Sequence, residues 1–247
     1  NPFFFIFLHI SKKCCNFAVA WSYRTCKYIM KEQLLYSEIT DRLDTEFFLR
    51  LLERMMWDCY HHPLFQARRT YMCDLYVTDY LLLEAIVANP YLKRSYEELT
   101  PSILNGIFLE LRENFSPLQK HTIADWGNVE FQFQIIQAQK WLQKRLKEVL
   151  GYKNIARSIV NKIMYVVFGI PIISPKVKRY LYEYGLIQDS RTQNMFCLMT
   201  GMHNFFNRYQ DEIVSTISNI VIYRGVFGGE FDERELVVIL LMGMSSI

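Results

Sequence analysis

Residues 155–181, IARSIVNKIMYVVFGIPIISPKVKRYL, carry two helix signals separated by a short break. Apolar residues recur three and four positions apart at Ile159, Ile163, Val166 and Val167. This spacing predicts a helix over about 155–168 with one buried face. A short extended run, 170–173, follows, and Ser174 before Pro175 is typical of a second helix start, with serine as the N-cap. The local architecture is therefore helix, break, helix.

Similar spacing extends outward from this stretch and indicates an all-α protein. Further helices are predicted over about 43–56, 72–88, 102–114, 130–150, 175–184, 191–207, 210–223 and 232–243. Breaks are expected at 62–63, 89–90, 100–101, 116–117, 169–175 and 225–229, where proline or glycine occurs. Alternating apolar runs bounded by tight turns are nearly absent, so no hairpin of strands is predicted.

The first thirty residues differ in composition from the rest of the chain. They hold four cations and no acid, and the remainder has 24 Lys+Arg against 25 Asp+Glu, so the net charge of +3 comes from this segment. The apolar run NPFFFIFLHI is too short to span a bilayer, which needs roughly twenty residues. We expect residues 1–29 to be a leader or a non-native upstream segment. Residues 30–247 are expected to form a single all-α domain, as one body or as two lobes meeting in a cleft.

Positive charge is concentrated between Phe131 and Arg179. This segment contains ten Lys and Arg residues and a single acid, Glu148. Such a patch suits a polyanion, because neutralising phosphates releases counterions. The alternative interpretation is a solvated helix face. Lys176, beside the free amides at the start of the helix after Ser174, favours an anion site there.

The other chemical signals are weak. The six cysteines show no paired CxxC spacing, which favours a reducing intracellular compartment over a disulfide framework. The Cys59-Tyr-His61-His62 run lacks a second ligand pair, so no metal is predicted. Motifs for phosphate-binding loops, dinucleotides and nucleophile elbows are missing, so no cofactor is predicted either.

The segment Asn154–Gly169, NIARSIVNKIMYVVFG, resembles without a gap the hairpin and following helix of helix-hairpin-helix DNA glycosylases, whose pattern is roughly GVGR(K/S)TAxxxLxxxFG. After a connection two residues shorter than in the family, residues 171–181, PIISPKVKRYL, resemble the PILDxNVKRVL segment of adenine glycosylases. Residues 240–247 are similar to the helix that precedes that family's iron–sulfur ligands. The first two pieces cover about 28 residues. The chain is thus similar to the adenine glycosylase and endonuclease III-like branch, in divergent form.

The resemblance implies a two-lobed all-α fold, with the helix-hairpin-helix at about 150–182, that grips duplex DNA and flips a base into a cleft. The hairpin would present backbone amides to phosphate. The nucleic-acid-binding residues expected from it are Asn154, Ala156, Arg157, Ser158, Lys176, Lys178 and Arg179. Asn154 and Ala156 replace the two hairpin glycines, and Ala tolerates positive φ poorly. Ser158 replaces the nucleophilic lysine of bifunctional members, which excludes a Schiff-base lyase step at that position.

Two catalytic positions follow from the same resemblance. Ser174 stands where the family has its catalytic Asp, and a neutral hydroxyl cannot stabilise positive charge developing on the sugar. Glu84 lies in about the region where some adenine glycosylases carry a general acid, and the alternative is a glutamate at the rim of an apolar helix. The iron–sulfur cluster of that branch needs four cysteines after the helix containing Gly243, and the sequence ends at Ile247, so we expect either that the cluster is absent or that the sequence is truncated there.

Three hypotheses follow. The first is a divergent glycosylase-fold protein that binds duplex DNA through the basic face, in the nucleus or nucleoid, without ordinary glycosylase catalysis. The second is a helical interaction module whose patch contacts an acidic protein partner. The third is a monofunctional DNA N-glycosylase that uses Glu84. The first predicts salt-dependent DNA binding that charge reversal weakens.

Overall fold

Helices make up all the regular structure that the computed structural model describes, over residues 45–74, 100–151, 155–222 and 231–246. The α-helices in these ranges are α1 (Thr45–Tyr60), α2 (Pro63–Asp74), α3 (Pro101–Asn114), α4 (Val129–Leu150), α5 (Arg157–Phe168), α6 (Pro175–Glu183), α7 (Met195–Arg208), α8 (Gln210–Ile222) and α9 (Glu233–Met244). Short 3-10 helices span Ser116–Lys120 and Ala124–Gly127. The predicted all-α class is confirmed for these residues.

Side-chain caps determine where several helices begin. Thr100 Oγ1 accepts a hydrogen bond from the Ile103 N–H at 3.3 Å, and Pro101 is the first residue of α3. Asn128 Oδ1 accepts from the Glu130 N–H at 2.8 Å before α4. Such caps satisfy N–H groups that the first helical turn leaves without a backbone partner. The predicted starts of α3, α4 and α9 agree with the structure to within one residue.

The core lies where α8 and α9 pack on α1, α2 packs on α5, and α7 packs on α4. Phe48, Leu51 and Leu52 of α1 have no exposed surface. Gly243 permits the close approach of α9, because a Cβ there would lie 2.8 Å from Leu51 side-chain atoms. On α5, the four apolar residues predicted to face inward are buried, which confirms the helical face inferred from their spacing.

Helix α2 was not among the predicted helices. The expected break at 62–63 is present, but a new helix begins at once with Pro63, a favourable first residue. Leu64, Phe65 and Tyr71 are buried on it, and so is Arg68 in the middle of the same stretch. Arg68 interrupts the spacing of apolar residues on the inward face, and that spacing therefore does not predict the helix.

Helix α7 begins four residues later than predicted, at Met195 instead of 191. Polar side chains hold the preceding residues in turns: Asp189 Oδ1 accepts from the Arg191 N–H at 2.8 Å, and Thr192 Oγ1 from the Asn194 N–H at 3.1 Å. Side chains of this kind compete with helical hydrogen bonding.

Several predictions concern residues outside the described ranges: the leader over 1–29, most of the helix over 72–88, and the breaks at 89–90 and 225–229. In the part of the chain that is described, no helix combines the length and the apolar character needed to cross a bilayer.

Candidate functional site

The start of α6 is capped as predicted. Ser174 adopts extended backbone angles, and its Oγ accepts a hydrogen bond from the Val177 N–H at 3.2 Å. The Lys178 N–H donates to the Ser174 carbonyl at 3.0 Å, and Pro175 has no N–H to offer. Most of the amides expected to bind an anion at this helix start are thus used within the protein or missing. The Ser174 hydroxyl oxygen has a structural role as the cap.

The cations of α6 point in two directions. Lys176 and Arg179 are three positions apart, about 60° around the helix axis, and both are exposed. Lys178 lies on the other side and is only 9% exposed. Its Nζ donates to the Thr192 carbonyl at 3.2 Å and to Gln193 Oε1 at 3.1 Å. The single basic face expected from the sequence is therefore divided into an outer pair and an inward lysine.

The inward lysine lines a pocket of about 340 Å³ formed by α4, α5, the connection from α5 to α6, Lys178 of α6, and the start of α7. Three of the lining side chains are cationic: Lys140, Arg157 and Lys178. Five carry amide groups: Gln139, Gln143, Asn161, Gln193 and Asn194. The remaining lining residues are apolar, and none of the residues that line the pocket is acidic.

All the charged side chains that line this pocket are positive. Burial lowers the pKa of Lys178, and the neighbouring Arg157 guanidinium lowers it further. Both partners of the Lys178 amine are neutral oxygens, which accept a hydrogen bond but do not neutralise the charge. A cation removed from water without a counter-charge costs free energy. An anion entering the pocket would reduce that cost.

The other cations of the basic segment differ in their pairing. Arg145 forms a bidentate ion pair with Glu110, with N–O distances of 2.7 and 2.8 Å. The Glu148 carboxylate lies 3.6 Å from Arg145 Nη1. Lys144 lies 3.9 Å from the same glutamate. By contrast, the structure shows no carboxylate partner, within the described ranges, for Lys140, Arg157, Lys176 and Arg179. These four cations lie in the lining of the pocket and on the exposed side of α6.

The hairpin proposed at the start of α5 is only partly described. Gly151 ends α4 with a φ of +65°, a left-handed conformation suited to glycine. Ala156 has a φ of −62° and a ψ of 127°, which alanine adopts without strain, and Ser158 is exposed in the first turn of α5. Asn154 lies outside the described residues, as does Glu84. The hairpin itself stays a prediction.

A buried ionic cluster joins three helices and was missed by sequence reasoning. Arg68 of α2 donates through Nε to Glu235 of α9 at 2.7 Å and through Nη1 to the Tyr165 and Val166 carbonyls of α5 at 3.1 and 3.3 Å. Asp232 caps α9 in a reciprocal capping box with Glu235. The Asp-x-x-Glu spacing was the available signal, since it is the pattern of that box.

The same cluster includes His121, whose neighbours determine its charge. Arg234 pairs with Asp232 and donates to the His121 carbonyl at 3.1 Å. Burial, together with the Arg234 charge, lowers the pKa of His121 to about 4. Burial raises the pKa of Glu235, and the Arg68 charge opposes that change. Because every charge here has a protein partner, this cluster holds helices together and offers no open position for a ligand.

Among the described residues, no group of three or more His, Cys, Asp or Glu side chains is arranged to hold a metal ion. Comparison of the chain with protein-family models, curated proteins and solved structures finds no match. The similarity to helix-hairpin-helix glycosylases therefore depends on residues 154–181 and 240–247 alone.

Proposed function

We propose that this protein binds duplex DNA through the outer cations Lys176 and Arg179, with Arg157 of α5 contributing from the pocket side. The observation that carries the proposal is that these three cations have no carboxylate partner among the described residues, in a segment with ten cations and one acid. Unpaired surface cations attract a polyanion most strongly, because no internal ion pair must be broken. The similarity of residues 154–181 to the glycosylase segments favours duplex DNA as that polyanion.

The proposed role is binding without ordinary glycosylase chemistry. The position of the family's catalytic aspartate is occupied by Ser174, whose oxygen accepts the Val177 N–H. A hydroxyl lacks the negative charge that stabilises an oxocarbenium-like transition state, and losing such a preorganised term lowers the rate by roughly a hundredfold or more. An active enzyme would depend on another carboxylate. Base release from mismatched or damaged duplexes that is abolished by Glu84→Gln would favour the enzymatic alternative.

The test is fluorescence anisotropy with a labelled duplex at salt concentrations from about 50 to 200 mM. The double variant Lys176→Glu/Arg179→Glu should bind at least tenfold more weakly at the lowest salt. The slope of log K against log salt should also decrease by about 2, since two phosphate contacts are removed. The control is Lys120→Glu/Arg50→Glu, which changes the net charge equally at exposed positions outside the basic segment.

Two results would overturn the proposal. Equal weakening by both double variants would show a response to net charge and not to a specific face. Wild-type protein that binds the duplex no more tightly than bovine serum albumin at about 50 mM salt would leave the acidic protein partner as the better hypothesis.

A further inference from the structure

The pocket beside α6 contains the partly buried ammonium group of Lys178, which has no carboxylate partner among the described residues. Lys178 Nζ has three donors and uses two of them, on the Thr192 carbonyl and on Gln193 Oε1. The third has no partner among the described residues. Structural lysines at this degree of burial normally pair with a carboxylate, because an uncompensated charge is costly.

The surroundings add positive potential to that of Lys178. Arg157 and Lys140 line the same pocket from α5 and α4. Asn194 and Met195, the N-cap and first residue of α7, also line it, so the positive end of a 14-residue helix lies at its wall. Three cations and a helix start converge on a space whose lining residues include no acid. The sum of these features selects for an anion with more than one negative charge.

The size and amide content of the pocket indicate more than a simple ion. Pockets that hold small organic molecules have volumes of roughly 300–1,000 Å³, and this one is about 340 Å³. Each of the five amide side chains offers both a donor and an acceptor. All five are partly engaged: Gln139 donates to Asn161 at 3.0 Å, Gln143 donates to the Ile155 carbonyl at 3.3 Å, Gln193 accepts from Lys178, and Asn194 accepts from the Phe196 N–H, which leaves part of the donors and acceptors of each amide for a ligand. Such groups suit hydroxyls or ring nitrogens.

We propose that this pocket binds a small phosphate monoester, with the phosphate on Lys178, Arg157 and Lys140 and the polar body of the ligand among the amides. A phosphate monoester matches the site better than a carboxylate does. It carries close to two negative charges at neutral pH and three acceptor oxygens for one guanidinium and two ammonium groups. The site shares Arg157 with the proposed DNA-binding surface, whereas Lys176 and Arg179 do not line the pocket.

Isothermal titration calorimetry on the full chain tests the proposal with five probes: inorganic phosphate, ribose 5-phosphate, ribose, adenosine 5′-monophosphate and adenosine. We expect both phosphorylated organic probes to bind, inorganic phosphate to bind more weakly, and ribose and adenosine to bind at least tenfold more weakly than their phosphorylated forms. Equal affinity for phosphorylated and unphosphorylated probes would overturn the proposal. Equal affinity for inorganic phosphate and the phosphorylated organic probes would show that the pocket recognises the phosphate group alone and would contradict an organic ligand.

Variants locate the site. Lys178→Met should weaken phosphate-ester binding by tenfold or more, since one charge-assisted hydrogen bond is worth about 1.5–3 kcal/mol. Lys140 lies at the exposed rim of the pocket, so Lys140→Met should weaken phosphate-ester binding several-fold without affecting folding. If Lys178→Met is unstable, the Lys140→Met variant provides the test. Lys144→Met, on the same helix but paired with Glu148, is the matched control and should change affinity less than twofold.

Unchanged binding in both Lys140→Met and Lys178→Met would place the ligand elsewhere and refute the assignment. The Lys176→Glu/Arg179→Glu variant distinguishes this outcome from DNA binding, because both substituted residues lie outside the pocket and the variant should retain the phosphate ester. Loss of both ligands in that variant would show one shared site and would contradict a separate pocket.

Discussion

Arg68 is the residue whose replacement should most affect the stability of this protein. It is 2% exposed and makes one charge-assisted hydrogen bond to Glu235 and two to α5 carbonyls. In Arg68→Met, the stem is replaced by an apolar chain of similar length, and all three bonds are lost. Glu235, 8% exposed, then keeps only the Asp232 N–H at 3.1 Å as a donor.

The expected loss of stability is large. Removing one partner of a buried ion pair costs about 3–5 kcal/mol, because the other charge stays buried without compensation. Since whole domains are stable by only about 5–15 kcal/mol, the variant should lose a substantial part of its stability. Urea unfolding followed by far-UV circular dichroism measures the loss. The control is Arg50→Met, whose ion pair with Glu46 is exposed on both sides, so its loss should stay below about 1 kcal/mol.

A double-mutant cycle with Glu235→Gln separates the ion pair from simple packing. Neutralising Glu235 removes the stranded charge, so the double variant should be more stable than the sum of the single losses by about 1–3 kcal/mol. A loss in Arg68→Met no greater than that in Arg50→Met would refute the reasoning. Strict additivity in the cycle would show that the cost comes from packing alone.

Two further predictions concern residues near this cluster. Gly169 and Gly185 both have left-handed angles, φ +73° and +66°, but a Cβ at Gly169 would lie 2.4 Å from Arg68 Nη2, whereas none of the described atoms is within 4 Å at Gly185. Gly185→Ala should cost about 1–2 kcal/mol in urea unfolding and Gly169→Ala at least 1 kcal/mol more; equal costs would contradict the placement of Arg68. For His121, burial beside Arg234 lowers the pKa from 6.5 to about 4, so the unfolded chain binds more protons between these values and stability falls as the pH decreases through them. The free energy of unfolding should decrease by about 2 kcal/mol from pH 7 to pH 5 because of this group. In His121→Gln this pH-dependent decrease should be absent. Identical pH profiles of stability for the wild type and the variant would contradict the prediction.

The sequence predicted most of the described helices because their signals are local. Thr100-Pro101 and Ser174-Pro175 mark the starts of α3 and α6, and the spacing of apolar residues in α5 places its buried face correctly. A cap acts on N–H groups two or three residues away, and a helical face repeats every three or four residues. Such features depend little on the rest of the chain.

The sequence predicted which residue types form the candidate site, but not which of their side chains point inward. The excess of cations between Phe131 and Arg179 is visible in the sequence, and so is the capping role of Ser174. The inward orientation of Lys178 is not visible, because it depends on the 192–193 turn that supplies its acceptors. The amides of the pocket come from helices α4 and α5 and from the residues before α7, which only packing brings together.

By itself, then, the sequence determined the all-α class, the caps and the concentration of positive charge. Tertiary structure decided which charged side chains are buried. Arg68 and Glu235 are 167 positions apart, and no local rule relates them. Each would be unfavourable in the interior alone, and they are stable there only as a pair whose hydrogen bonds are complete. Lys178 is the contrasting case, since packing turns its charge inward and gives it neutral oxygen partners but no carboxylate among the described residues.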